Sequence, residues 1–104
     1  AQVVGNSMNR RIPDGSWCLF RSDPGGSRDR KVVLVQYRNL QGPDAGQYTV
    51  KVYHSDKVTV DDVWHHSRIT LMPDSTDPKY KSIVLEGEDV VEFKVLGELV
   101  AVLG

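Results

Sequence analysis

The 104-residue chain contains, near its middle, a run of residues that strongly favours β-structure, Tyr48-Thr49-Val50-Lys51-Val52-Tyr53. β-branched and aromatic residues dominate the run, and these types are enriched in strands. Because successive side chains of a strand point to opposite faces, Lys51 shares a face with Thr49 and Tyr53 and lies opposite both valines. Such a lysine is exposed if its face meets solvent and half-buried if the face lines a cleft. The sequence leaves both alternatives open.

Similar runs recur along the rest of the chain between clusters of Gly, Pro, Asp and Ser, and helical periodicity is nearly absent. We therefore predict a mostly β protein of short antiparallel strands and hairpins. Turns are predicted where proline and glycine meet, as in Ile12-Pro13-Asp14-Gly15. The predicted strands cover Val3–Gly5, Trp17–Arg21, Lys31–Tyr37, Gln47–His54, Arg68–Met72, Ser82–Leu85 and Val90–Leu103.

The last predicted strand is too long to run straight, and Gly97 lies where a bulge or kink would bend it. Its apolar end, Leu99–Leu103, is either core or an interface strand. Two polar, turn-rich segments are expected to be flexible, Ser22–Arg30 and Asn39–Gly46.

Length and composition predict one domain, residues 1–104, and a soluble segment. The net charge of −1 gives no reason to expect nucleic acid or an anionic membrane as a partner. A single cysteine, Cys18, allows no internal disulfide, and no apolar run approaches the roughly 20 residues of a membrane helix. Because the chain begins inside a strand-like run without methionine, we interpret it as a fragment or processed form that lacks its upstream region.

A serine in a glycine-containing turn, Val4-Gly5-Asn6-Ser7-Met8, complements the lysine chemically. A serine hydroxyl becomes a good nucleophile when a neighbouring base takes its proton, and lysine can be that base if desolvation lowers its pKa from about 10.4 toward 7–8. Gly5 permits a sharp turn, and the amides of Asn6 and Ser7 could converge on a developing oxyanion. The candidate catalytic pair is Ser7 and Lys51.

The serine motif continues as Gly5-Asn6-Ser7-Met8, Ile12, Asp14-Gly15 and the strand Trp17-Cys18-Leu19-Phe20, and it resembles the nucleophile segment of the LexA-like peptidases. This family includes SOS repressors, UmuD-type polymerase subunits and cleavable phage repressors, and is related to type I signal peptidases. Further segments resemble the family in the same order along the chain. They are Lys31–Val35, Thr49-Val50-Lys51, Ile69–Asp74 with Asp77–Tyr80, and Val95–Val102.

The resemblance implies the LexA/signal peptidase-like β-ribbon fold, with Ser7 as nucleophile, Lys51 as general base and the Asn6 and Ser7 amides as oxyanion hole. It implies a cytoplasmic serine peptidase that cleaves a peptide segment, either its own upstream linker or another chain, in an SOS or phage-type transcriptional regulator. It also implies a homodimer, a recombinase filament as inducing partner, and DNA contact only through an upstream domain. No cofactor, metal or membrane is implied.

Other interpretations stay open. The domain could be a catalytically silent dimerisation module of a DNA-binding regulator, since an unpaired edge at Leu99–Leu103 would invite a second copy. Ser7 and Lys51 could be an ordinary turn serine and a surface charge. A signal-peptidase-like enzyme would need a membrane anchor that this segment lacks.

The remaining polar clusters are better explained without a catalytic or ligand-binding role. The histidines His54, His65 and His66 have no ligand partners at metal-binding spacing and are expected on the surface or in loops. The acidic residues Asp61, Asp62, Glu86, Glu88 and Asp89 fit solvated turns, and the glycine-rich segment Asp23–Ser27 lacks the lysine and helix of a phosphate loop. Cys18 is expected to be a small buried apolar residue.

Overall fold

The computed structural model describes residues 1–22, 29–40, 46–60, 63–86 and 93–104. Seven strands form one sheet in the order β1-β2-β7-β3-β4-β5-β6, and every pairing is antiparallel. The mostly β prediction is therefore confirmed. The strands are β1 Gln2–Val3, β2 Ser16–Arg21, β3 Val32–Leu40, β4 Gly46–Val60, β5 Val63–Met72, β6 Ile83–Glu86 and β7 Lys94–Val102.

Each predicted strand overlaps an observed one, but β4 and β5 are longer than expected. β4 continues to Val60 and β5 begins at Val63, so the two strands pair from Val52↔Met72 to Val60↔Val63. The segment Ser55–Val60 contains polar residues that did not predict a strand, yet pairing with a partner strand satisfies their backbone groups. Strand β3 likewise runs to Leu40, into a segment that was predicted to be a loop.

The two loop predictions lie partly outside the described residues, at 23–28 and 41–45. Other candidates lie wholly outside the described residues. They are Asp61, Asp62, Glu88, Asp89 and the glycine-rich segment Asp23–Ser27. Among the described residues, no helix is long and apolar enough to cross a membrane.

The bend predicted at Gly97 is present as an irregularity in the sheet. Leu34 pairs with Gly97 and Val35 pairs with Val95, so Leu96 is the extra residue of a bulge in β7. A Cβ at Gly97 would lie 3.1 Å from Phe20 Cβ and 3.2 Å from the Arg21 carbonyl oxygen. A side chain at this position would therefore require β2 to move by a few tenths of an ångström.

Alternation along β3 and β4 produces two apolar clusters. Val33 and Val35 belong to one, and Val32, Val50 and Val52 belong to the other. Burying one such side chain contributes about 1.5–3 kcal/mol. The first cluster also contains Tyr37, Ile69, Leu71 and Leu85, and the second contains Met8, Ile12 and Cys18.

Candidate active site

The segment that carries Ser7 is a turn held by buried side chains and by the next turn. Gly5 adopts a positive φ of 106°, and its amide donates to Asp14 Oδ1 over 2.7 Å. Met8 and Ile12 are almost completely buried, and the Ile12 amide donates to the Met8 carbonyl over 2.7 Å. Met8 therefore packs in the core and holds the turn, a role that the resemblance to the LexA-like peptidases implies for it.

The Asp14-Gly15 turn, predicted as structural, supports the same segment. The Ser16 amide donates to the Pro13 carbonyl over 3.1 Å, and Gly15 has a φ of 83°. A positive φ at the third position is typical of a type II turn, which favours glycine there. The turn thereby places the Asp14 carboxylate against the Gly5 amide.

Strand β4 brings Lys51 to this turn. Lys51 Nζ lies 3.0 Å from Ser7 Oγ, and the exposed fraction of Lys51 is 0%. Of the two possibilities that the sequence left open for Lys51, exposure to solvent and burial beside a cleft, the structure shows burial. The interpretation of Lys51 as a surface charge is wrong. Removal from water disfavours the ammonium form of an amine, which is what a lysine base requires.

Two further oxygen atoms lie within hydrogen-bond distance of Lys51 Nζ. Thr49 Oγ1 is 2.5 Å away and the Val50 carbonyl oxygen is 3.3 Å away. A neutral amine has two N–H donors and one lone pair, so it can donate to Thr49 and Val50 while accepting the Ser7 proton. Thr49 was predicted to share the face of Lys51 but was not predicted as a site residue. Its position two residues before a strand lysine was the available signal.

The two predicted oxyanion amides differ in this structure. The Asn6 amide donates to Tyr80 Oη over 3.4 Å. In contrast, no hydrogen bond in the described part of the chain uses the Ser7 N–H. The Ser7 amide is therefore available to a substrate oxygen, whereas the Asn6 amide already faces a hydroxyl.

The loop after β5 fixes the nucleophile turn from a distant part of the sequence. The Asp74 amide donates to the Ser7 carbonyl over 2.9 Å, and Ser75 Oγ donates to the Asn6 carbonyl over 2.5 Å. Arg11 Nε also donates to Asp74 Oδ2 over 2.7 Å. The sequence did not predict these contacts, because they join segments more than 60 residues apart.

A cleft of about 180 Å³ opens beside Ser7. Of the described residues that line it, none has a charged side chain, and apolar side chains alternate with uncharged polar ones. The cleft thus suits an uncharged, extended segment of peptide. Its lining consists of Ala1, Gln2, Val3, Val4, Gly5, Asn6, Ser7, Phe20, Leu34, Tyr48, Thr49, Val50 and Tyr80.

The other candidate residues do not join this site. His54 lies on β4 rather than in a loop, is half-buried, and has Nδ1 2.9 Å from Asp29 Oδ1. Partial desolvation alone would raise the pKa of Asp29, but hydrogen bonds from His54 and Ser55 and the charges of His54 and Arg30 lower it below its ordinary value of 3.8. His65 and His66 belong to strand β5, not to a loop.

Cys18 and Glu86, the acidic candidate that the structure describes, do not join the site either. Cys18 is buried, as predicted, and desolvation raises the pKa of its thiol. Glu86 is exposed and accepts a hydrogen bond from Arg68. Within the described ranges, no group of three or more His, Cys, Asp or Glu residues is placed to bind a metal ion.

Comparison with known proteins adds no assignment. No protein-family model matches the chain, and no curated protein matches it significantly. The resemblance to the LexA-like peptidases therefore stays a prediction from the motifs, and the functional argument depends on the geometry around Ser7.

Proposed function

We propose that this domain is a serine peptidase of the LexA-like type, with Ser7 as nucleophile and Lys51 as general base. The contact of 3.0 Å between Ser7 Oγ and a fully buried Lys51 Nζ carries the proposal. A buried lysine beside a serine hydroxyl has a cost in stability that a purely structural site would avoid with an apolar residue. The pairing is explained if the amine has a chemical task.

In the acylation step, the Ser7 O–H proton passes to the Lys51 lone pair while Ser7 Oγ bonds to the scissile carbonyl carbon. The carbonyl oxygen becomes an oxyanion that the Ser7 amide can stabilise. Lys51 then protonates the leaving amine as the C–N bond breaks, leaving an ester on Ser7. Water attacks that ester with Lys51 again as base, which releases the new carboxylate and restores the hydroxyl.

Thr49 and the Val50 carbonyl accept hydrogen bonds from Lys51 throughout this cycle. They direct the two N–H groups of the neutral amine away from Ser7, so that the lone pair faces the hydroxyl. After proton transfer the ammonium can donate to Ser7 Oγ as well as to these two oxygen atoms. Thr49 is therefore a positioning residue.

The proposed substrate is an extended peptide, either the protein's own upstream linker or another chain. Self-cleavage would make the domain the regulated part of an SOS or phage-type transcriptional regulator in the cytoplasm, with a recombinase filament as inducing partner. The uncharged cleft beside Ser7 supports a peptide segment without charged side chains near the scissile bond.

The experiment that tests this function is self-cleavage of the full-length gene product, followed from neutral to alkaline pH. Cleavage should increase with pH, because only the deprotonated amine is a base, and should be lost in Ser7→Ala and Lys51→Ala. The matched controls are the same substitutions at an exposed serine and an exposed lysine, Ser82→Ala and Lys81→Ala. Both controls should cleave at the parental rate. Equal cleavage in the Ser7→Ala variant would contradict the proposal.

A second candidate function is a dimerisation module, although not through the expected strand edge. Strand β7 lies between β2 and β3, so it is not an edge strand. Exposed apolar side chains instead lie on β2 and directly after β7, where Trp17 is 56% and Leu103 is 67% exposed. The Leu103 amide donates to the Trp17 carbonyl over 2.7 Å, so the two residues are neighbours. Leu19→Lys on this surface should dissociate a dimer in analytical ultracentrifugation, and a parent that is monomeric at high concentration would refute this candidate.

A further inference from the structure

The Asn6 amide, one of the two predicted oxyanion donors, faces an oxygen atom before any substrate arrives. Its N–H donates to Tyr80 Oη over 3.4 Å, which is long compared with the usual value of about 2.9–3.0 Å for such bonds. The bond is therefore weak and easily exchanged. A substrate oxygen that binds the Asn6 and Ser7 amides must come close to the Tyr80 hydroxyl.

The Tyr80 hydroxyl has a donor that the described part of the chain does not use. A phenolic oxygen can accept one hydrogen bond and donate another. Tyr80 Oη accepts the Asn6 N–H, and no described group accepts its own hydrogen. Because Tyr80 lines the same cleft as Ser7, an oxygen atom bound beside Ser7 can accept that hydrogen.

Backbone contacts couple the position of Tyr80 to the nucleophile. The loop that precedes Tyr80 is joined to the nucleophile turn by the Asp74–Ser7 and Ser75–Asn6 hydrogen bonds. The Tyr80 amide also donates to the Asp77 carbonyl over 3.4 Å at the end of this loop. The segment that ends at Tyr80 is thus joined to the nucleophile turn by hydrogen bonds.

We infer that Tyr80 is a third donor of the oxyanion site. While the cleft is empty its hydroxyl accepts the Asn6 N–H, and when Ser7 attacks, the hydroxyl donates to the substrate oxygen that takes its place at the amide. This inference rests on the proposed peptidase function. The phenolic proton stays on Tyr80, the carbonyl π electrons move to the substrate oxygen, and the Ser7 proton goes to Lys51.

The test is Tyr80→Phe in the full-length protein, which removes the hydroxyl and keeps the ring. Removing one oxyanion donor typically slows catalysis by about 10²–10³-fold, and with two amides remaining we expect self-cleavage to slow by about 10- to 100-fold. Lys79→Met is the matched control, because Lys79 Nζ lies 5.4 Å from the Tyr80 ring centroid and its removal leaves the hydroxyl in place. This control should cleave at the parental rate.

The pH profile separates a donor from a merely structural tyrosine. Loss of a donor lowers the rate by the same factor at every pH, whereas displacement of Ser7 from Lys51 would move the pH of half-maximal rate. An unchanged or faster rate in Tyr80→Phe, or a shifted profile, would overturn the inference. If Ser7→Ala is inactive in the same assay, such a result refutes the role of Tyr80 alone. If Ser7→Ala cleaves normally, the peptidase proposal itself fails.

Discussion

Replacing Lys51 with methionine separates the chemical role of the amine from its role in folding. Methionine is unbranched, of similar length and apolar, so it can fill the buried space that Lys51 occupies. Lys51→Ala removes the base too, but it also leaves a cavity, and large-to-small changes of long side chains in cores cost about 2–5 kcal/mol. Loss of activity in Lys51→Ala alone would therefore be ambiguous.

The expected magnitudes follow from the contacts of Lys51 Nζ. General base catalysis contributes about 10²–10⁴-fold, which corresponds to about 3–5 kcal/mol of activation free energy. The hydrogen bonds to Ser7, Thr49 and Val50 contribute about 0.5–1.5 kcal/mol each, while removing a buried amine recovers its desolvation cost. We expect the free energy of unfolding to change by at most about 2 kcal/mol.

The assay pairs the rate of self-cleavage of the full-length protein with urea denaturation of the same preparations. Lys51→Met should be folded and at least about 100-fold slower than the parent at alkaline pH. Lys81→Met, at an exposed lysine, is the matched control and should change neither quantity. A folded Lys51→Met variant that cleaves within about tenfold of the parental rate would refute the assignment of Lys51 as the base.

Three other substitutions test the surroundings of the site and the sheet. Thr49→Val removes the hydroxyl that accepts a hydrogen bond from Lys51 Nζ, at a cost of about 1–3 kcal/mol, and should slow self-cleavage by about tenfold or more. A parental rate would refute the positioning role. Gly97→Ala places a Cβ 3.2 Å from the Arg21 carbonyl oxygen. We expect this crowding to lower the free energy of unfolding, measured by urea denaturation, by about 1–3 kcal/mol. Equal stability of the variant and the parent would show that β7 can move away from β2. Asp29 has a lowered pKa, so its charge stabilises the fold above about pH 3.8, and this contribution is lost as the pH falls through the lower folded value. The stability difference between the parent and Asp29→Asn should therefore disappear in acid, and a difference that persists there would contradict the His54–Asp29 pairing.

Strand content was predictable because it depends on local residue types. The alternation in Tyr48–Tyr53 correctly placed Lys51 opposite Val50 and Val52, and Gly97 correctly marked a bulge. The second half of β4 and the first half of β5 were not predicted. The polar residues in these two segments form strands because the segments pair with each other. The order of the strands was also beyond local patterns, which is why the sequence left open whether Leu99–Leu103 is core or an interface strand.

The burial of Lys51 could not be predicted from its strand alone. It depends on the Ser7 turn, 44 residues away in sequence, and that turn is held in part by Asp74 and Ser75. Tyr80 was included in the resembling segment Asp77–Tyr80, but nothing in that segment indicated its contact with Asn6. Contacts between residues so far apart in sequence form only when the whole sheet has folded, so local sequence patterns do not predict them.

The most direct test of the central claim is the identity of the residue that an activated ester acylates. The full-length protein is treated briefly with p-nitrophenyl acetate, the reaction is stopped in acid, and the acetylated residues are mapped by peptide mass spectrometry. If Lys51 activates Ser7, Ser7 is acetylated faster than the exposed Ser82, and the label is lost in Lys51→Met. Acetylation of Ser7 no faster than Ser82, or equal labelling in Lys51→Met, would contradict the account.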